Sequence, residues 1–275
     1  MTRVLSVILF LLTAACANIP LPAERRSLAN TLASDGGWLA VTLPAGMFDL
    51  VAYLPTMPSR AETLTVYIEG DGFAWISGSQ PSADPTPRDP LTLRLALAHP
   101  EGNSVYLARP CQYVDAETSG CSNRYWTEKR FAPEVIAATN QAIDLLKHKF
   151  GASQLTLVGY SGGGAVAALA AARRTDVERL VTVAGNLDQR AWTTYHRIRP
   201  LTDSLNPSDE IGALQEVRQW HFVGGKDRNI TPELVRGFAN RFPENLRPVV
   251  LVEPEFDHQC CWVENWPRLF QRVSR

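Results

Sequence analysis

Gly159-Tyr160-Ser161-Gly162-Gly163 concentrates more chemistry than any other stretch of this 275-residue chain. The pattern is G-x-S-x-G. A serine hydroxyl is a poor nucleophile at neutral pH and needs a base within hydrogen-bond reach, plus a group that orients the base. The flanking glycines leave room for a turn too tight for a Cβ beside the serine. An apolar run, Leu155-Thr156-Leu157-Val158, precedes the pattern, and an alanine-rich segment, 164–173, follows it. Strand, tight turn and helix together lift such a serine clear of the backbone, with a helix N-terminus beneath it. The chemistry on offer is attack on a carbonyl carbon. A phosphate-binding loop is excluded, because no Lys-Ser/Thr ending follows Gly164 and no acidic ribose contact matches.

Five histidines could supply the base. His221 lies in the apolar run Trp220-His221-Phe222-Val223 and is expected to point into a sheet face. His99 precedes a Pro-Glu-Gly turn, His148 sits in a lysine-rich helix turn, and His196 lies in a segment that interrupts the strand–helix alternation. His258 ends Glu253-Pro254-Glu255-Phe256-Asp257-His258, just beyond the last apolar run. With these residues the chain resembles the α/β-hydrolase superfamily, whose nucleophile, acid and base follow in that chain order.

The resemblance implies His258 as the base. It implies Asp227, after Phe222-Val223-Gly224-Gly225-Lys226, as the orienting acid. Asp188 stands where some lipases of this fold place their acid, and it stays open as the alternative. Asp257 adjoins His258 and is badly placed to face its ring; Asp203 and Asp209 read as loop and cap residues. Backbone donors for an oxyanion are expected from Gly162 and from Asp71, in the loop Glu69-Gly70-Asp71-Gly72-Phe73-Ala74-Trp75. Lipases of the fold often carry His-Gly where this chain has Glu69-Gly70. A charge beside a developing anion is unfavourable, so the Asp71 carboxylate is expected to turn away and bond locally to its loop. The implied activity is that of a serine hydrolase cleaving a small-molecule or polymer ester. A peptidase or amidase with the same triad, and a non-catalytic binding protein of the cell envelope, are the alternatives. No cofactor or metal is required.

These residues need elements to position them. Apolar, β-branched runs predict strands at 37–43, 48–54, 64–69, 104–108, 155–160, 180–184, 220–223 and 248–252. Helices are predicted at 91–98, 133–150, 162–174, 232–242 and 262–273, the second one stopped by Gly151. The expectation is an α/β fold: a mostly parallel eight-stranded sheet with helices on both faces, spanning 36–275. Two segments break the alternation. Residues 77–90, rich in proline and serine, read as a surface loop. Residues 187–216 read as a cap or pocket excursion, or equally as a plain loop with a short helix. Phe73, Trp75, Tyr113, Tyr125, Trp126, Tyr160 and Trp262 fall on segments expected at one sheet edge, as pocket lining or, more commonly, as packing anchors for long loops. Arg109, Arg124 and Arg130 are candidate binders of an anionic substrate group, though paired surface arginines are commoner.

A net charge of −1 gives no footprint for nucleic acid. Residues 1–15 read as an export signal, with Arg3 before an apolar run too short to span a membrane. Ala-Ala before Cys16 resembles a bacterial lipobox, which implies lipidation of Cys16 and a membrane anchor; ordinary cleavage near Ala15 or Ala17 stays open as the alternative. Asn18 in place of aspartate then favours an outer-membrane lipoprotein in the cell envelope. Residues 16–35 read as a tether with no structural period. Export implies an oxidising compartment. Cys111 and Cys121 bracket a short polar loop and are expected to form a disulfide. For Cys260 and Cys261, which adjoin, free thiols and cross-pairing both stay open.

Overall fold

Apolar residues alternate in and out along the strands, so each strand feeds two cores. Leu64, Val66 and Ile68 face one core, as do Leu155 and Leu157; Tyr67, Val158 and Tyr160 face the other. The computed structural model describes residues 19–59, 61–115 and 119–273. Its eight strands are β1 (Trp38–Ala45), β2 (Phe48–Pro55), β3 (Thr63–Ile68), β4 (Asn103–Leu107), β5 (Gln154–Tyr160), β6 (Val177–Val183), β7 (Arg218–Gly224) and β8 (Val249–Glu253). They form one sheet in the order β1-β2-β4-β3-β5-β6-β7-β8. Only β2 runs against the rest.

The helices are α1 (Pro22–Asp35), α2 (Leu91–Leu97), α3 (Pro133–Phe150), α4 (Gly162–Ala171), α5 (Gln189–His196), α6 (Ile211–Leu214), α7 (Pro232–Ala239) and α8 (Trp262–Phe270). Buried side chains of α3, α4 and, through Phe238, α7 pack in one core, and those of α1, α2 and α8 in the other; Val235 of α7 joins a small third cluster with Val223 and Ile230. All eight expected strands and all five expected helices are present, with ends shifted by a few residues. The α3 stop is Gly151 in the left-handed conformation, φ 63°.

Three expectations need correction. Residues 22–35, expected within an aperiodic tether, form α1. Its buried stripe is Arg25, Ala29 and Ala33, too weakly apolar to register as a helical period. The Arg25 guanidinium donates to the Asp84 and Thr86 carbonyls and pairs with the Asp84 carboxylate at 3.6 Å. Residues 77–90 are not simply a surface loop: Ser82, Asp84 and Thr86 are buried. Phe73 N–H donates to the Pro85 carbonyl at 2.9 Å, and Trp126 Nε1–H to the Ser82 carbonyl at 3.2 Å. That loop therefore supports the expected oxyanion loop from below. Finally, Cys260 and Cys261 are joined to each other rather than left free or cross-paired. Cys111 and Cys121 are joined as expected, with Cα atoms 5.6 Å apart. The export signal at 1–15 and the lipidation site at Cys16 lie outside the described residues.

Candidate active site

The site forms where β3, β4, β5, β7 and β8 end, the edge at which open α/β sheets bind ligands. Ser161 follows β5 directly and caps α4 with φ 51° and ψ −120°, a strained conformation for a residue with a side chain. Its backbone is held on both sides. Its N–H donates to the Val183 carbonyl at 3.0 Å, and its carbonyl accepts from Gly164 N–H at 3.0 Å and Asn186 N–H at 2.9 Å. A Cβ on Gly159 would collide with the Gly163 carbonyl, so the turn requires glycine there.

Ser161 Oγ lies 3.1 Å from His258 Nε2. His258 Nδ1 lies 2.8 Å from Asp227 Oδ2. A carboxylate only accepts, so Nδ1 carries the proton and Nε2 offers its lone pair to the serine hydroxyl. Asp227 has a fully buried side chain, and its Oδ1 accepts from Asn229 N–H at 2.8 Å and Ile230 N–H at 2.9 Å. Tyr160 Oη–H donates to the His258 carbonyl at 3.1 Å and tethers the His258 loop to the end of β5.

Asp188 does not reach His258. It caps α5, accepting from Arg190 and Ala191 N–H, and takes a further bond from Asn206 Nδ2. Asp257 accepts from Gln259 and Cys260 N–H and faces its own loop. His221 is buried in the sheet as expected; burial pushes its imidazole down to about 3.

Gly162 and Asp71 face each other. A Cβ on Gly162 would overlap the Asp71 carboxylate, so the close approach requires glycine at 162. The expected local bonding of that carboxylate is not what forms. Arg130 Nη1 lies 2.6 Å from Asp71 Oδ2, and Arg109 Nη1 lies 3.3 Å from Oδ1. Both arginines are buried, with side chains 7% and 5% exposed. Burial alone would raise the Asp71 carboxyl; Arg130 and Arg109 together outweigh it and hold the group below the usual range. The three groups carry one net positive charge. The acid that looked unfavourable beside an oxyanion is thus part of an electropositive cluster. Arg109 and Arg130, candidate anion binders, are committed to Asp71. Arg124 is exposed and pairs with Glu128 and Asp203.

Glu69 sits behind this loop. It accepts from Thr92 Oγ1 at 2.6 Å, Gly70 N–H at 2.9 Å and Tyr106 Oη at 3.1 Å. Burial raises its carboxyl from 4.5 to about 7, against the pull of those bonds. A carboxyl raised in the folded state stabilises the fold at low pH and loses that contribution as pH rises through the folded value. Glu69→Gln should therefore gain stability relative to the wild type between pH 4.5 and 7, by on the order of 3 kcal/mol in total. Denaturant unfolding of both proteins at pH 5 and pH 8 checks this; an identical difference at both pH values would contradict it.

Sequence reasoning missed Asn229. Its Nδ2 lies 3.2 Å from His258 Nε2, and its Oδ1 accepts from Trp192 Nε1–H at 3.1 Å. Nothing in the pattern marks it, because the contact depends on how α5 folds back. The 187–216 segment thus reaches Asn229 through Trp192.

The eight-stranded sheet, with this elbow at the end of β5, is the α/β-hydrolase fold. No protein-family model matches the sequence, and no curated protein matches it. The fold is similar to that of Est1E from Butyrivibrio proteoclasticus, solved with ferulic acid bound. That match has TM-score 0.62 and 12% identity, and covers 86% of this chain and 99% of that one. It is also similar to the Pyrococcus furiosus esterase Pf2001, with TM-score 0.61 and 12% identity over 87% of this chain and 91% of that one. A third is XC6422 from Xanthomonas campestris, described as a serine hydrolase without a lid. Its TM-score is 0.55 and its identity 14%, over 86% of this chain and 94% of that one.

Proposed function

We propose that this protein is a serine hydrolase that cleaves a carboxylic ester through an acyl-enzyme. The observation that carries this is the unbroken chain Asp227–His258–Ser161, at 2.8 and 3.1 Å, on a strained elbow. His258 takes the Ser161 proton as Oγ attacks the carbonyl carbon. Asp227 keeps the imidazole in the required tautomer and stabilises the imidazolium. The N–H groups of Gly162 and Asp71 are the donors to the oxyanion. Gly162 is the first residue of α4, and the first-turn amides of a helix have no partner within it. His258 then protonates the leaving alcohol, and a water activated by the same nitrogen releases the acid.

An ester is favoured over an amide because the Pyrococcus furiosus protein of similar fold is described as an esterase. The two disulfides suit the oxidising compartment that an export signal implies. A fluorophosphonate probe should label the folded protein at Ser161 and leave Ser161→Ala unlabelled. An unlabelled wild type would sink the serine-hydrolase function and favour a binding protein. A panel of p-nitrophenyl esters of graded length, with peptide and polyester substrates beside them, identifies the class; turnover of peptides alone would move the assignment to a peptidase.

A further inference from the structure

We propose that Asn229 is a further catalytic residue of this site, its side-chain amide donating a hydrogen bond to the leaving-group oxygen as the acyl–oxygen bond breaks. The role rests on the serine-hydrolase function proposed above. The orientation of the carboxamide is set by its neighbours. An indole N–H can only donate, so Asn229 Oδ1 faces Trp192 and the NH2 group faces His258. Both ends of the residue are anchored. Its backbone N–H is bonded to Asp227 Oδ1, and its carbonyl accepts from His196 Nε2 at 2.8 Å. With His258 it lines an open cleft of about 720 Å³, which Lys226 and Arg228 line as well.

In the resting site two donors share the His258 Nε2 lone pair: Ser161 Oγ–H at 3.1 Å and Asn229 Nδ2–H at 3.2 Å. Once Nε2 takes the serine proton, that lone pair is gone. Nε2–H and Nδ2–H, on nitrogens 3.2 Å apart, can then both donate to one oxygen in the space beside them. The leaving oxygen must enter that space to receive its proton. As the tetrahedral intermediate collapses, the bond between the acyl carbon and this oxygen breaks and its electron pair stays on the oxygen. The oxyanion electrons re-form the carbonyl, and the proton passes from Nε2 to the departing oxygen. A fixed donor at Nδ2 stabilises the charge that builds there before proton transfer is complete. No co-reactant is needed.

The benefit depends on the alcohol. An alkoxide holds its charge badly and gains most from a second donor; p-nitrophenolate delocalises its charge and gains little. The test is kcat/KM, which reports steps through acylation, for esters of one acyl group with alcohols graded from p-nitrophenol to ethanol. Asn229→Ala should lose roughly tenfold to a hundredfold on the ethyl ester and less than about threefold on the p-nitrophenyl ester. Trp192→Phe, which releases Oδ1 and lets the carboxamide turn, should show a smaller loss with the same dependence on leaving group. It carries the test if thermal unfolding shows that Asn229→Ala does not fold. An equal loss across the series, or none on the ethyl ester, would overturn the role of Asn229 and leave the hydrolase function standing. A folded wild type that turns over no ester would overturn both this role and the ester hydrolase function.

Discussion

His258→Ala should lower kcat on any turned-over ester by on the order of 10⁶-fold, with little change in stability. Among the described residues, the imidazole is the one group within hydrogen-bond distance of Ser161 Oγ that can take its proton, at 3.1 Å. Removing it leaves a neutral serine beside the proposed oxyanion donors, so a residual rate over water should survive. Asp227→Ala should cost less, on the order of 10⁴-fold, because the base remains but loses the partner that sets its tautomer. Asp188→Ala should leave turnover within a few-fold of wild type. Its carboxylate caps α5, so its loss should appear in stability, by about 1 kcal/mol. Steady-state kinetics on the three variants separate these roles. Wild-type turnover in Asp227→Ala together with its loss in Asp188→Ala would reverse the assignment of the acid.

Asp71→Ala should destabilise the protein by about 3 kcal/mol and lower its melting temperature by roughly 6 °C. The substitution keeps the backbone N–H proposed as an oxyanion donor and removes only the carboxylate. Arg109 and Arg130 are then left buried with no anion between them, and an unpaired buried charge is costly. The value sits at the low end for a buried pair because the Asp71 side chain is about one-fifth exposed. The same substitution frees the loop that carries the donor, so kcat should fall by roughly 10²-fold with a smaller change in KM. Thermal unfolding and kinetics on one preparation check both parts. An unchanged melting temperature would mean that the arginines do not depend on Asp71.

The strand and helix pattern was legible wherever burial follows a simple period. α3 shows an apolar stripe with Gly151 at its end, and β5 is a continuous apolar run ended by glycine and serine. α1 was not legible, because its buried stripe is one arginine and two alanines, and the arginine is buried only by carbonyls 59 and 61 residues away. The loop at 77–90 looked exposed for a related reason. Proline and serine are usual on surfaces, but here their carbonyls serve as acceptors for Phe73 and Trp126.

The sequence by itself determined the fold, the candidate nucleophile and the chain order of its candidate partners. Those are local matters: a turn that demands glycine, strands that demand alternating apolar residues, and polar residues just past strand ends. Only the tertiary structure decided between Asp227 and Asp188, since both follow strands and only distance to one imidazole nitrogen separates them. It alone turned Asp71 from an unfavourable acid into the centre of a buried arginine pair, and brought Asn229 to the base. Charge pairing and hydrogen bonding act over about 3 Å in space, between residues that here lie 29 to 97 positions apart in the chain, and no local pattern records such distances.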